Sequence, residues 1–177
     1  SKLIRPWHWP EKGQPERTEP FTWIVEDVIA ASWWPDPYVF QIYEEKKIRG
    51  VVNCCEFDNR QDVPKQFSYH HINVPDYGVP TDAQIERFLD LMDKHHAARE
   101  AVVVHCVAGC GRTGQFIIAW CARAGYIPKN ADPVQWIRAR GSVVWKRVHK
   151  STVLNSSLGN IDRSADADRC LHQDASA

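Results

Sequence analysis

His105-Cys106-Val107-Ala108-Gly109-Cys110-Gly111-Arg112-Thr113-Gly114 sets a cysteine and an arginine at the two ends of a short glycine-containing loop. Ala101-Val102-Val103-Val104 before it is the apolar, β-branched run of a buried strand. Gln115-Phe116-Ile117-Ile118-Ala119-Trp120-Cys121-Ala122 after it suits a buried helix. The order is strand, loop, helix N-terminus. The first amides of a helix have no intrahelical partners and carry the positive end of the helix dipole, so an anion belongs there. Gly109, Gly111 and Gly114 let successive N–H groups turn toward one anion, and Arg112 adds a planar fork matched to two phosphoryl oxygens. A thiol in such a nest ionises readily, which makes Cys106 a thiolate aimed at phosphorus.

Taken alone, a cysteine after an apolar strand is usually a small hydrophobe. Its spacing from Arg112 and the intervening glycines argue otherwise, and His105-Cys106, five residues, Arg112-Thr113 resembles the loop of the cysteine-dependent protein tyrosine and dual-specificity phosphatases. Upstream, Asn73-Val74-Pro75-Asp76-Tyr77-Gly78-Val79-Pro80-Thr81 is similar to the general-acid loop of the small atypical dual-specificity type, although Pro-Asp-Tyr-Gly is also an ordinary turn sequence. The resemblance covers roughly residues 21–157.

Carried over residue by residue, the resemblance implies that Cys106 attacks phosphorus and that Arg112 with the amides of residues 107–112 (Val107, Ala108, Gly109, Cys110, Gly111, Arg112) holds the equatorial oxygens. Asp76 would protonate the leaving group and then help activate water. Thr113 would hydrogen-bond the sulfur, and His105 would orient the loop rather than move a proton. No cofactor or metal is expected. Small relatives carry a water-positioning glutamine a few residues after a Gly-Ser pair; here Gly141-Ser142 is followed by Val143-Val144-Trp145-Lys146-Arg147-Val148-His149 without it. Either another group positions the water or the second step is slow, and Gln115, on the helix side of the loop, is a weak substitute.

Composition sets the frame. Twenty-two Lys and Arg balance 22 Asp and Glu, so formal charge gives no reason to expect a nucleic-acid partner. No apolar stretch is long enough to span a bilayer, and charges at Lys2, Arg5, Glu11, Lys12, Glu16 and Arg17 interrupt any signal-peptide pattern, so a cytoplasmic location is expected. The cysteines at 54, 55, 106, 110, 121 and 170 form no regular disulfide framework and are read as thiols.

Residues 1–20, with prolines at 6, 10, 15 and 20, read as an extended Pro- and Trp-rich arm, residues 21–159 as the phosphatase domain and residues 160–177 as a disordered tail. Phe21 to Ala30 is strand-like. Asp36-Pro37 opens a helix expected to run through Gly50, and strands are expected over Val51–Cys55 and Tyr69–Val74. Thr81-Asp82-Ala83-Gln84 is a capping-box pattern for a helix carrying Ile85, Phe88, Leu89 and Met92. Asp132-Pro133 starts another that Gly141 ends, and a last helix is expected over Lys146 to Leu158. Strands alternating with helices predict an α/β fold, a central mostly parallel sheet with helices on both faces, of the dual-specificity phosphatase type. Loops leaving its strands would converge on one cleft.

Cys54-Cys55, His70-His71 and His95-His96 look like a metal set, but neighbouring strand residues face opposite ways and the spacing is not that of a zinc site. The tryptophans at 7, 9, 33 and 34 form either a partner-binding surface or, the favoured reading, the arm's own docking site. A phosphorylated protein, with phosphate on tyrosine or on serine and threonine, is the expected substrate. A phosphoinositide or RNA 5′-phosphatase ranks lower because Val107, Ala108 and Cys110 bring no lysine into the loop; a catalytically inactive phosphoprotein-binding module ranks lower because Cys106, Arg112 and Asp76 are all present. The sequence leaves the oligomeric state open. Two thiols could pair with an oxidised Cys106: Cys110 in the same tightly curved loop, and Cys54, which matches the backdoor cysteine of phosphatase-and-tensin-type lipid phosphatases in a similar Cys-x-Glu segment and is favoured.

Overall fold

The computed structural model describes residues 19–75, 78–107 and 111–141. In chain order these form β1 (Phe21–Val25), β2 (Ile29–Ser32), α1 (Pro37–Glu45), β3 (Ile48–Asn53), β4 (Ser68–His71), α2 (Asp82–Ala97), β5 (Ala101–His105), α3 (Gly111–Arg123) and α4 (Pro133–Gly141). The sheet order is β1-β2-β5-β3-β4. Among the described strands only β1 runs antiparallel to its neighbour, as the outer arm of a hairpin with β2; the other three pairings are parallel. This is the mostly parallel sheet flanked by helices that the alternation of elements predicts.

The central strand β5 is buried along its whole length, which is why it reads as an uninterrupted apolar run. Its side chains alternate between two cores. Val102 and Val104 join Phe88 and Met92 of α2 and Phe116 and Trp120 of α3 on one face. Ala101 and Val103 join Phe40 and Tyr43 of α1, with Phe67, on the other. Each large buried side chain of this kind contributes roughly 1.5–3 kcal/mol.

Local chemistry sets the helix starts. The Asp36 carboxylate accepts from the Val39 amide at 2.8 Å, with Pro37 in the first turn of α1. Thr81 and Gln84 form the reciprocal capping box of α2. Asp132 accepts from the Val134 amide at 2.9 Å to start α4.

Three expectations are corrected. The first helix stops at Glu45 rather than Gly50: Lys47 takes a φ of 59°, which breaks the helix, and Ile48 already begins β3. Strand β3 therefore starts earlier than expected and ends at Asn53, leaving Cys54 and Cys55 in the loop beyond it, while β4 ends at His71 rather than Val74. The strand-like run from Phe21 is two strands, turned at Asp27, whose φ is 60°. The arm as far as residue 18, the helix expected over Lys146 to Leu158 and the tail lie outside the described residues.

The register positions the site. Ser32 pairs with His105, His105 with Asn53 and Asn53 with His71, so the carboxyl ends of β2, β5, β3 and β4 form one row across the sheet. The segments following all four strands leave the sheet at the same edge.

Candidate active site

Cys106 follows the last residue of β5 and is buried, and Arg112 and Thr113 lie in the first turn of α3, also buried. The two ends of the Cys106–Arg112 loop are thus a strand terminus and a helix N-terminus. Ala108, Gly109, Cys110 and the acid-loop residue Asp76 lie outside the described residues; Val107 and Gly111, at the edges of that gap, are described.

Arg112 is anchored from two directions. Its Nη1 donates to the Val74 carbonyl oxygen at 3.0 Å and pairs with the Glu56 carboxylate. Val74 lies two residues before Asp76, so the guanidinium bridges the stem of the acid loop and the loop after β3. The stem has its own ties: Gln84 Nε2 donates to the Asn73 carbonyl at 2.7 Å, and the Gly78 amide to the Pro75 carbonyl at 2.8 Å. A Cβ at Gly78 would sit 2.6 Å from that Pro75 oxygen, a clash that only glycine avoids.

Glu56 is the residue that sequence reasoning missed as a site component. It appeared only as the last letter of Cys54-Cys55-Glu56. The loop carrying it is organised by Asn53, buried at the end of β3, whose Nδ2 donates to the Phe57 carbonyl at 2.6 Å and to Asn59 Oδ1 at 3.1 Å, while its Oδ1 accepts from the Cys55 amide at 3.0 Å. A polar residue closing a parallel strand was the available signal.

Cys54 lies against the loop's base. Its amide donates to the His105 carbonyl at 2.9 Å, extending the β3–β5 ladder, and its Sγ lies 3.1 Å from the same oxygen and 3.6 Å from Thr113 Oγ1. Burial, then a hydrogen bond with the Cys106 side chain, pushes the Cys54 thiol well above its ordinary pKa, so it stays protonated. Cys55 is also pushed up, to about 11, mainly by burial.

His105 is fully buried, which lowers its pKa to about 4 and keeps the ring neutral. Its Nδ1 lies 3.3 Å from the Cys106 carbonyl oxygen, its Nε2 has no hydrogen-bond partner among the described residues, and the Trp34 ring meets it edge-on with centroids 5.6 Å apart. The Trp34 amide donates to the Val107 carbonyl at 3.0 Å. Gln115 is buried on α3, and its side-chain oxygen has no partner among the described residues. The histidine pairs separate: His70 meets His95, Nε2 to Nε2 at 2.9 Å, whereas His71 Nε2 lies 2.7 Å from the Cys55 carbonyl oxygen and His96 packs on Trp120. Among the described residues no group of three or more His, Cys, Asp or Glu is arranged to hold a metal ion.

A thiol at a strand end and an anchored arginine in the first turn of the next helix are groups suited to a phosphoryl group. The family model described as "Polymorphic toxin system, DSP-PTPase phosphatase" matches residues 35–126, just over half of the chain. The chain belongs to this family. Its type within that family is the small atypical dual-specificity one of the cysteine-dependent phosphatase superfamily.

The DSP-PTPase chain is similar to dual specificity protein phosphatase CDC14C of Homo sapiens, 30% identical over 106 residues, 59% of this chain and 23% of that protein. It is also similar to tyrosine-protein phosphatase 1 of Caenorhabditis elegans, 33% identical over 117 residues, 58% of this chain and 11% of that protein. It thus spans less than a quarter of the length of either relative. Among solved structures, Tk-PTP in its active form superposes with a TM-score of 0.69 at 18% identity, covering 82% of this chain and 100% of that one. The OH1 tyrosine phosphatase of Orf virus gives 0.61 at 15% identity, covering 86% and 92%. At these identities the likeness is one of fold. No described helix is long and apolar enough to cross a membrane.

Proposed function

We propose that this DSP-PTPase chain hydrolyses phosphomonoesters of proteins through a phosphocysteine intermediate on Cys106. The observation that carries the reading is the anchoring of Arg112, in the first turn of α3, by Glu56 and the Val74 carbonyl, beside the strand end that bears Cys106. Such anchoring presents the guanidinium without reorganisation when charge develops on the phosphoryl oxygens. The sulfur displaces the alkoxide or phenoxide, Asp76 supplies its proton, and water then cleaves the S–P bond with the Asp76 carboxylate as base. Val107, Ala108, Gly109, Cys110 and Gly111 would contribute loop amides, Thr113 would hydrogen-bond the sulfur and make it a better leaving group, and His105 would orient the loop.

Phosphotyrosine and phosphoserine or phosphothreonine proteins in the cytoplasm are the proposed substrates. A neighbour of similar fold, PTPMT1, is described in complex with PI(5)P. A phosphoinositide reading ranks lower here because residues 107, 108 and 110 carry no positive charge. Full-chain protein assayed on phosphotyrosyl and phosphoseryl peptides, with Cys106→Ser beside it, tests the assignment. Turnover should vanish in the variant while a phosphate analogue still binds; turnover near the parent's would refute it.

Reversible oxidation belongs to the same proposal. Peroxide takes the Cys106 thiolate to sulfenic acid with release of hydroxide; the Cys54 thiol attacks that sulfur, a disulfide forms and water leaves. The position of Cys54 Sγ, 3.1 Å from the carbonyl oxygen of His105 next to Cys106 and 3.6 Å from Thr113 Oγ1, supports Cys54 as the partner. Peptide mapping of the peroxide-inactivated protein should link residues 54 and 106. A Cys54→Ser variant that a thiol reductant restores as fully as the parent would exclude this partner.

A further inference from the structure

On the face of the sheet covered by α1, away from the Arg112 anchor, lies a groove of about 460 Å³. Its walls are apolar and acidic together: Trp34, Phe40 and Pro64 supply ring and proline surface, and Asp36, Glu44 and Asp62 supply carboxylates. No Lys or Arg lines it among the described residues. Grooves of aromatic and proline surface take extended, proline-rich segments, and a rim of carboxylates selects those that carry cations.

The chain itself contains such a segment. Residues 1–18 hold Pro6, Pro10 and Pro15, with Trp7 and Trp9 beside the first two, and four cations (Lys2, Arg5, Lys12, Arg17) against two carboxylates (Glu11, Glu16), a side-chain excess of +2. The segment joins the described fold beside the groove. Pro20 is buried, and its carbonyl accepts from the Trp33 amide at 3.2 Å, one residue from the groove's Trp34. An extended chain advances roughly 3.3 Å per residue, so the first tryptophans are within reach of the groove without any long linker.

We propose that residues 1–18 occupy this groove in cis, with Trp7 and Trp9 against the Trp34, Phe40 and Pro64 surface and their neighbouring cations beside Glu44 and Asp62. The groove shares a wall with the Cys106 loop, since Trp34 bonds Val107 and packs on His105, so the docked arm braces that loop from behind.

A zero-length carbodiimide applied to the dilute full chain tests this by joining a lysine amine to a carboxylate, with loss of water, only where the two touch. Peptide mass mapping should find Lys2 or Lys12 joined to Glu44 or Asp62 within one chain. Trypsin should cut the native protein after Lys12 at least fivefold more slowly than it cuts a Trp7→Ala/Trp9→Ala variant. That variant leaves every lysine and carboxylate in place, and its cross-link yield should drop at least fivefold while its thermal midpoint shows the domain folded. Cross-links found only between chains would assign the groove to the arm of a second copy and overturn the cis assignment. Absent cross-links, or equal cleavage and yield in parent and variant, would overturn docking altogether.

Discussion

At the scale of single residues, the site depends on what holds Arg112. A guanidinium that loses an anchoring carboxylate can shift, and a misplacement of about 1 Å can cost roughly 10²-fold in rate. Glu56→Gln keeps shape but removes the charge that pairs with Arg112, so kcat should fall by up to ~10²-fold while the fold persists; steady-state kinetics beside a thermal melt measures both. Arg112→Lys should lose more, because a point charge cannot replace a bidentate fork. Asp76→Asn should lower kcat by roughly 10²–10⁴, with the larger loss on alkyl phosphates, whose leaving groups need the proton most. Equal losses on aryl and alkyl phosphates would remove Asp76 from the acid role. The sequence made Cys106 and Arg112 legible because their spacing is local and the chemistry demands both. Glu56 was not legible, since its partner lies 56 residues away and only the Asn53-centred loop brings it there.

At the scale of elements, local signals were read correctly where a few adjacent residues decide the structure, and missed where strand pairing overrides them. The capping box of α2 and the Asp-Pro starts of α1 and α4 belong to the first kind. The end of α1 belongs to the second: Lys46-Lys47 continues a helical pattern, but Ile48 and Gly50 to Asn53 pair in parallel with β5, and Gly50 to Asn53 pair with β4 as well. The acid-loop stem is held by the Gly78-to-Pro75 hydrogen bond, so Gly78→Ala should force the Pro75 carbonyl away and reduce kcat preferentially on substrates with poor leaving groups. The contact between β4 and α2 sets a pH dependence. His70 is lowered to about 4 by burial first, then by His95 and Arg87. Its folded pKa lies below the unfolded value of 6.5, so the stability it contributes is complete above about 6.5 and is lost as pH falls toward 4. His105, also lowered to about 4, adds in the same direction. Denaturant midpoints between pH ~6.5 and ~5, above most carboxylate titration, should fall for the parent and fall less steeply for His70→Gln. Identical slopes would remove His70 from that role.

At the scale of the whole molecule, one sheet edge gathers what the sequence scatters. The aligned ends of β2, β5, β3 and β4 bring Trp34, Cys106, Glu56 and Val74 out together, and α3 returns Arg112 to them. The alternation of strands and helices foretold this sheet, whereas the β1–β2 hairpin was hidden because its turn rests on Asp27 in a conformation glycine or asparagine more often marks. The fold thus sets the two ends of a local cysteine–arginine motif as a thiol at the end of β5 and an anchored guanidinium in the first turn of α3, and the proposed mechanism requires that this thiol become phosphorylated. Rapid acid quench of the full chain during its first turnover of an aryl phosphate, followed by peptide mass mapping, tests it most directly. A phosphate adduct should appear on Cys106 before steady state and be absent from Cys106→Ser. Continued turnover with no adduct, or with the adduct on another residue, would contradict it.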